Sequence, residues 1–185
     1  MVLATLVEEP VVVEEGLSSA AYFAMPETTH PHNLVHGRLY RMPSPRKPHQ
    51  TTVFAMSKAF DAFALVDGGE FVPSPMDCEF RPGLVFQPDL AYIVPGRTHI
   101  YPDYVRGAPD VMVEVQSRGT RRFVMEKKLP QYAAHGVREA WVVEPEARTV
   151  TVYKGDGTRW VSETTVAFGE DIPSDIVTVG ACGLV

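Results

Sequence analysis

The sequence has little cysteine and no long apolar run, and both absences exclude classes of protein. Cys78 and Cys182 are the only cysteines among 185 residues. They form no Cys-x-x-Cys pair, which excludes a four-cysteine zinc site, and nothing in the sequence supports a disulfide between them. No apolar stretch reaches the roughly 20 residues that a membrane-spanning helix needs. The N-terminus lacks the basic start of a secretory signal, so we expect a cytoplasmic protein with no membrane partner.

The chain also lacks the excess of basic residues that is typical of proteins that bind nucleic acid. It has 17 Lys and Arg against 23 Asp and Glu, for a net charge of −6. That balance provides no overall attraction for a phosphate backbone. Basic residues do cluster at 38–47 and at 118–128, so local binding of nucleic acid stays open.

Several catalytic motifs are missing as well. There is no glycine-rich phosphate loop, and neither Ser44 nor Ser117 lies in a Gly-x-Ser-x-Gly context, which excludes serine hydrolase chemistry of that kind. His30, His32 and His36 are loosely spaced beside a proline, which favours a surface loop over a transition-metal site.

The length predicts one domain, residues 1–185, in which residues 1–16 form an N-terminal arm or edge strand. Apolar periodicity and turn signals predict helices and strands in a mixed order. The predicted elements are a helix at 17–25, a hairpin at 33–42 turning at Gly37, a loop at 44–48, a helix at 50–66, strands at 70–72, 77–80, 84–94 and 111–115, a helix at 121–135, and strands at 139–143, 149–153 and 159–166. This order predicts an α/β (α+β) domain built around a mixed sheet.

Two acidic residues interrupt the most apolar, β-prone parts of the chain. Asp89 ends the segment Gln87-Pro88-Asp89, and Glu114 is surrounded by valine and methionine. A carboxylate in such a place is costly to desolvate unless it is hydrogen-bonded, paired or bound to a cation. The two segments therefore indicate a shared site, and oxygen ligands favour a hard divalent metal.

Four short motifs follow one another along the chain. They are Gln87-Pro88-Asp89, Pro109-Asp110 leading into Glu114-Val115-Gln116-Ser117, Lys128-Leu129-Pro130-Gln131-Tyr132, and Gly136-Val137-Arg138-Glu139-Ala140-Trp141. In this order they resemble the Uma-two family of restriction-endonuclease-like proteins, within the PD-(D/E)XK nuclease superfamily. The resemblance extends from about Leu17 to Tyr153. Each motif is weak alone, and their order and spacing make the signal specific.

The resemblance implies a restriction-endonuclease-like mixed β-sheet flanked by helices, here with extra antiparallel strands. It makes Asp89 the first metal-binding carboxylate and Glu114 the second. Two carboxylates, completed by water and substrate phosphate, suit Mg²⁺ or Mn²⁺. A metal in that place polarises the scissile phosphodiester and activates the attacking water.

The superfamily has a lysine two residues after the second acid, and here that position is Gln116. The resemblance transfers the positive charge to Lys128 on the next helix and leaves Gln116 to orient water or the metal shell. At about 100° per residue, Lys128 lies on the flank of the helix's apolar face, whereas Lys127 points to solvent. Tyr132, one turn later, is expected to orient Lys128 or touch substrate. The apolar face itself is predicted to consist of Met125, Leu129, Tyr132 and Ala133.

Three other residues are candidates for supporting roles. Asn33 stands where the family often has a glutamate before a glycine, and an amide oxygen is a weaker ligand than a carboxylate. His49 follows the proline-rich loop and matches a common family position near the site. Asp77 is a candidate for a place beside the site, whereas Asp110 is predicted to be a turn or cap residue.

Together these observations predict a metal-dependent nuclease that hydrolyses phosphodiester bonds, with DNA as the expected partner. By analogy with similar nucleases we also expect a homodimer. The alternative is a catalytically degenerate nuclease fold that serves as a binding or assembly module, which the charge of −6, Gln116 and Asn33 favour. A nuclease should have a basic rim around the acids, predicted to consist of Arg118, Arg121, Arg122 and Lys128.

Overall fold

The computed structural model describes residues 8–181, 183 and 184, and within them twelve strands form two six-stranded sheets. In chain order the strands are β1 (Val11–Glu15), β2 (His32–Val35), β3 (Arg38–Arg41), β4 (Glu70–Pro73), β5 (Cys78–Arg81), β6 (Leu84–Phe86), β7 (Leu90–Ile93), β8 (Val105–Arg106), β9 (Val111–Val115), β10 (Glu139–Glu144), β11 (Thr149–Gly155) and β12 (Trp160–Ala167). The first sheet has the order β1-β3-β2-β6-β5-β8 and the second β12-β11-β10-β9-β7-β4. Each contains one parallel pair, so both are mixed.

The helical elements lie between the strands. They are α1 (Ser19–Phe23), α2 (Lys47–Asp67), a 3₁₀ turn (Thr98–Ile100), and a continuous helical segment made of α3 (Arg121–Phe123), a π-helical turn (Val124–Lys128) and α4 (Leu129–Ala134). Within the described residues, no helix combines the length and the apolar character needed to cross a membrane. Cys78 is buried, and Cys182 lies outside the described residues, so the structure does not address a disulfide.

The N-terminal elements follow their local signals closely. Ser18 caps α1, because its hydroxyl accepts a hydrogen bond from the N–H of Ala21 at 3.1 Å. His36 and Gly37 both have positive φ, which is the backbone of a two-residue hairpin turn. β1 pairs with β3 as the predicted edge strand.

Helix α2 begins three residues earlier than predicted. Pro48 belongs to its first turn rather than to the preceding loop. The N–H groups of the first turn have no partner within the helix, so a proline there costs no hydrogen bond. Gly68, with φ of 84°, ends the helix.

The prediction of one strand over 84–94 is wrong. The chain forms β6 in the first sheet, crosses over at Gln87-Pro88-Asp89, and forms β7 in the second sheet. Pro88 has no N–H for a β-ladder, which explains why neither strand continues through it. The predicted mixed sheet is thus two sheets joined at this crossing.

Strand β9 is central, as its apolar sequence predicts. It lies between β10, to which it is parallel, and β7, to which it is antiparallel. Val111, Val113 and Val115 pack with α2 on one face of the second sheet. Met112 packs on the other face with the 121–134 helical segment and the first sheet, and alternation directs Glu114 to that same face.

The apolar face predicted for the 121–134 helix is wrong at one position. Met125 is 39% exposed, and Val124 is buried in its place. The cause is the π-helical turn, whose i to i+5 bonding changes the angle per residue and moves the buried face by one position.

Asp110 has the structural role predicted for it, and we expect its removal to destabilise the fold. Its buried carboxylate accepts hydrogen bonds from Val94 N–H at 3.0 Å and from Arg97 at 2.6 Å. Asp110→Ala should lower the free energy of unfolding by about 2 kcal/mol, because both donors lose a charged acceptor. Urea denaturation measures this. Asp103→Ala, which removes an exposed pair with Arg106, is the control and should change stability by less than about 0.5 kcal/mol; equal losses would contradict the assignment.

Candidate active site

The structure places Asp89, the residue before β7, next to Glu114 on β9. Leu90 pairs with Val113 across β7 and β9, and continuing this register by one residue sets Asp89 across from Glu114. The N–H of Asp89 donates to Val113 O at 3.1 Å, and the N–H of Val115 donates to Asp89 Oδ2 at 2.7 Å. Side chains of directly opposed residues project from one face of a sheet, about 5 Å apart at Cβ. The two carboxylates therefore share one site.

Glu114 is held by a buried ion pair. It is 3% exposed, and the ammonium of Lys128 lies 2.9 Å from Oε1 and 2.8 Å from Oε2. Tyr132 donates its hydroxyl hydrogen to Oε1 at 2.6 Å. Lys128 also donates to the backbone carbonyl of Gln87 at 2.7 Å, so each of its three N–H groups has an acceptor. Lys127, in contrast, is exposed, as predicted.

Burial sets the protonation of the groups around Glu114. Desolvation raises the pKa of the Glu114 carboxyl above its ordinary value; the Lys128 charge opposes this rise and the Asp89 charge adds to it. Burial, together with the charge of Glu114, raises the pKa of Tyr132 well above its usual range. Tyr132 therefore stays protonated and acts as a hydrogen-bond donor, not as a base.

His49 lies against the other carboxylate. It is in the first turn of α2, and its Nε2 is 3.1 Å from Asp89 Oδ1. Burial lowers the pKa of His49, but the hydrogen bond to Asp89 and the charges of Asp89 and Glu114 outweigh burial, so the net shift is upward. His49 Nδ1 is buried and has no hydrogen-bond partner among the described residues.

Asn33 and Asp77 act on the site through Gln87. Asn33 Oδ1 accepts from the backbone N–H of Gln87 at 2.9 Å, and Asp77 Oδ1 accepts from Gln87 Nε2 at 3.0 Å. The carbonyl of Gln87 accepts a hydrogen bond from Lys128. By holding Gln87 in place, Asn33 and Asp77 therefore help to position the Lys128–Glu114 ion pair. This role of Gln87 was not predicted from the sequence. The available signal was a glutamine at the start of the first motif, directly before a proline that interrupts the strand.

Gln116 shares a face of the second sheet with Glu114 but does not line the cleft. Its side chain is buried, and neither its amide nitrogen nor its amide oxygen has a partner in the part of the chain that the structure describes. A buried amide without partners destabilises a protein, and such groups are often retained for a functional reason.

The acidic pair opens into a cleft of about 1040 Å³ between the second sheet, the start of α2 and the α1 region. Asp89, Glu114, Lys128 and His49 all line it. Among the described residues that line the cleft, seven are carboxylic acids and three are Lys or Arg, so its field is negative.

The predicted basic rim is largely neutralised. Arg118 pairs with Glu146 at 2.8 Å, Arg121 with Glu144 at 3.3 Å and Arg122 with Glu126 at 3.0 Å, while Lys128 is held by Glu114. Each predicted cation thus faces a carboxylate, which reduces the attraction of this surface for a phosphate backbone.

Comparison with known proteins gives a family. The profile of the Uma2 family, described as "Putative restriction endonuclease", matches residues 19–181. The chain belongs to the Uma2 family. This confirms the resemblance drawn from the four motifs and supports a nuclease as the class of function. No curated protein matches the chain.

The fold of this Uma2 protein is similar to that of a solved structure. The crystal structure of "a putative nuclease belonging to DUF820" from Anabaena variabilis has a TM-score of 0.74 and 15% sequence identity, and the match covers 91% of this chain and 99% of that one. At this identity the likeness shows the fold alone, which is the restriction-endonuclease-like fold predicted from the sequence.

The donor set of this Uma2 site fits a divalent metal bound together with substrate. Within the described ranges, no three His, Cys, Asp or Glu side chains converge as a metal cluster. Asp89 and Glu114 supply two carboxylates side by side in the cleft. Mg²⁺ commonly uses one or two carboxylates and completes its shell with water and phosphate. Two carboxylates are too few for a closed, four-ligand zinc site. They leave coordination positions on a metal open to oxygen atoms of the substrate.

Removing Lys128 should destabilise the fold in a pH-dependent way. Lys128→Met should lower the free energy of unfolding by about 3 kcal/mol at neutral pH, because it leaves a buried carboxylate without a counter-charge. The pKa of Glu114, already raised, should rise further. The folded state then holds a proton that the unfolded state releases, so stability falls as pH increases from the ordinary glutamate value through the raised one.

Urea denaturation at pH 5 and pH 8 tests this, with Lys127→Met as the exposed control, expected to change stability by less than about 0.5 kcal/mol. The Lys128→Met variant should lose more stability at pH 8. An equal loss at both pH values would contradict the titration of Glu114.

Gln116→Leu should stabilise the protein by about 1 kcal/mol, because it replaces two unsatisfied buried groups with an apolar side chain of similar size. Thermal and urea unfolding measure the gain, and exposed Gln50→Leu is the control. A loss of stability would show that the amide of Gln116 has partners in solution.

Proposed function

We propose that this protein is a metal-dependent nuclease that hydrolyses phosphodiester bonds of DNA, with Mg²⁺ or Mn²⁺ held by Asp89 and Glu114. The observation that carries the proposal is the pair of carboxylates set across adjacent strands on the wall of an open cleft. Membership in the Uma2 family supports a nuclease. When bound, the metal would polarise a phosphoryl oxygen and lower the pKa of a water molecule.

The groups around the two carboxylates hold them in fixed orientations. Asp89 is fixed by the N–H of Val115, and Glu114 by Lys128 and Tyr132. Groups that are oriented before substrate arrives need no reorganisation during the reaction, which is the main source of electrostatic catalysis.

Lys128 supplies the positive charge that, in the nuclease superfamily, comes from a lysine two residues after the second acid. Its ammonium lies on Glu114 and lines the cleft, so it can exchange one of its hydrogen bonds for an oxygen of the reacting phosphate. There it would stabilise the negative charge that develops on phosphorus-bound oxygen. His49, on the opposite carboxylate, orients Asp89.

The number of copies needed depends on the strandedness of the substrate. A duplex cut on both strands requires two sites, and the simplest arrangement of two sites is a symmetric homodimer. A single-stranded substrate requires one site only.

A degenerate fold that acts as a binding module is a second candidate, and one observation favours it. The three rim arginines are paired with acids, and the cleft carries more carboxylates than cations. Metal binding distinguishes the two candidates, since only the nuclease needs a cation at the acidic pair.

We expect Asp89→Asn and Glu114→Gln each to abolish binding of Mn²⁺ and to lower the rate of DNA cleavage by about 100-fold or more. Isothermal calorimetry with Mn²⁺, in the presence and absence of DNA, measures the first effect, and gel assays measure the second. Glu146→Gln is the matched control, because Glu146 lines the same cleft but is exposed and pairs with Arg118. Binding and cleavage that persist in both site variants would contradict the proposal, and a wild type that binds no Mn²⁺ even with DNA would favour the binding module.

A further inference from the structure

An aromatic stack lines the same cleft as the acidic pair and has no part in the proposed chemistry. Phe23, the last residue of α1, lines the cleft and is 36% exposed. Its ring stacks on Tyr104, with centroids 4.3 Å apart and an angle of 26° between the planes. The guanidinium of Arg106 lies 4.7 Å from the Tyr104 centroid and must cover the other face of that ring. Phe23 is therefore the partly exposed end of a cation–ring–ring stack, and Tyr22 makes a T-shaped contact with it, with ring centroids 5.3 Å apart.

The stack is connected to the acidic pair by one aromatic contact and a series of hydrogen bonds that passes through Asp77 and Gln87. Tyr22, which meets Phe23 edge-on, donates its hydroxyl hydrogen to Asp77 at 2.7 Å. Asp77 also accepts from Gln87, whose carbonyl accepts from Lys128. A helix of five residues has little stability of its own, so these contacts determine where Phe23 stands relative to Lys128.

The electrostatics of the cleft disfavour a double-stranded ligand. Affinity for duplex DNA comes largely from neutralising phosphates with lysine and arginine. Here Arg118 and Lys128 are already paired with acids, and Arg46 is the one lining Lys or Arg without a carboxylate partner among the described residues. Binding must therefore draw on contacts other than charge.

An exposed aromatic ring provides such a contact for an unpaired base. Bases in a duplex already stack on each other and have no face to offer, whereas a base in a single strand can stack on a protein ring whatever its identity. Proteins that bind single strands combine such rings with basic residues that contact the backbone, and Arg46 lines the same cleft as Phe23.

We infer that Phe23 is a stacking platform for an unpaired nucleobase and that the substrate class of the cleft is single-stranded nucleic acid. The inference rests on the proposed function in taking nucleic acid as the ligand, and it adds the strandedness that the acidic pair alone leaves open. Stacking does not separate DNA from RNA, so both are tested.

The test is binding of fluorescein-labelled oligonucleotides of about 12 residues, followed by fluorescence anisotropy in EDTA, where metal-dependent cleavage cannot occur. The probes are single-stranded DNA, single-stranded RNA, and the duplex of the same DNA sequence. Wild-type protein should bind a single strand more tightly than the duplex. Phe23→Ala should weaken single-strand binding by about 10-fold.

Matched variants separate stacking from folding. Phe23→Leu retains apolar bulk without a flat face and should bind as weakly as Phe23→Ala, whereas Phe23→Trp should bind as the wild type does. Phe54→Ala removes a phenylalanine that is 66% exposed on α2 and does not line the cleft, and it should leave binding unchanged. Circular dichroism melts establish that each variant is folded.

The assignment of Phe23 as a stacking platform would be wrong if the duplex bound as tightly as the single strand. It would also be wrong if Phe23→Leu bound as tightly as the wild type. Cleavage of the same probes with Mn²⁺ separates this failure from failure of the nuclease. Cleavage that is lost in Asp89→Asn but normal in Phe23→Leu would overturn the platform alone. Phe23-dependent binding without cleavage by the wild type would overturn the nuclease and leave the platform.

Discussion

The buried ion pair between Lys128 and Glu114 is the constraint around which the site is built. Charges removed from water are tolerated only when every donor and acceptor is satisfied. The four groups that achieve this come from three places: Lys128 and Tyr132 from the helical segment, Glu114 from the central strand, and the carbonyl of Gln87 from the crossing between the sheets. Satisfying one carboxylate thus fixes the relative positions of these elements.

The acids of the site could be predicted because their signal is local. A carboxylate inside an apolar strand stands out within a few residues, and this identified Asp89 and Glu114 without the fold. Lys128 and its exposed neighbour Lys127 followed from motif order and helical phase, and the structure buries the first and exposes the second. Asp110 was predicted to be a turn or cap residue rather than a ligand, and its buried ion pair with Arg97 was not predicted.

What could not be predicted depends on residues far apart in the chain or on rare backbone geometry. The rim arginines find their partners on later elements, as Arg121 does with Glu144, so their neutralisation is not visible in a cluster of basic residues. Met125 was misplaced because a π-helical turn has no pattern that distinguishes it from an α-helix. The run 84–94 reads as one strand because β6 and β7 are both apolar, and only the assembled sheets separate them.

The crossing at Gln87-Pro88-Asp89 joins the two sheets at the place where the acidic pair lies. The first residue of the crossing supplies the acceptor for Lys128, and the last supplies the carboxylate across from Glu114. A ligand that wedged the two sheets apart would pull on both ends of this tripeptide at once. A change in the distance between the two sheets would therefore alter the surroundings of Glu114, through Lys128, and the position of Asp89 together.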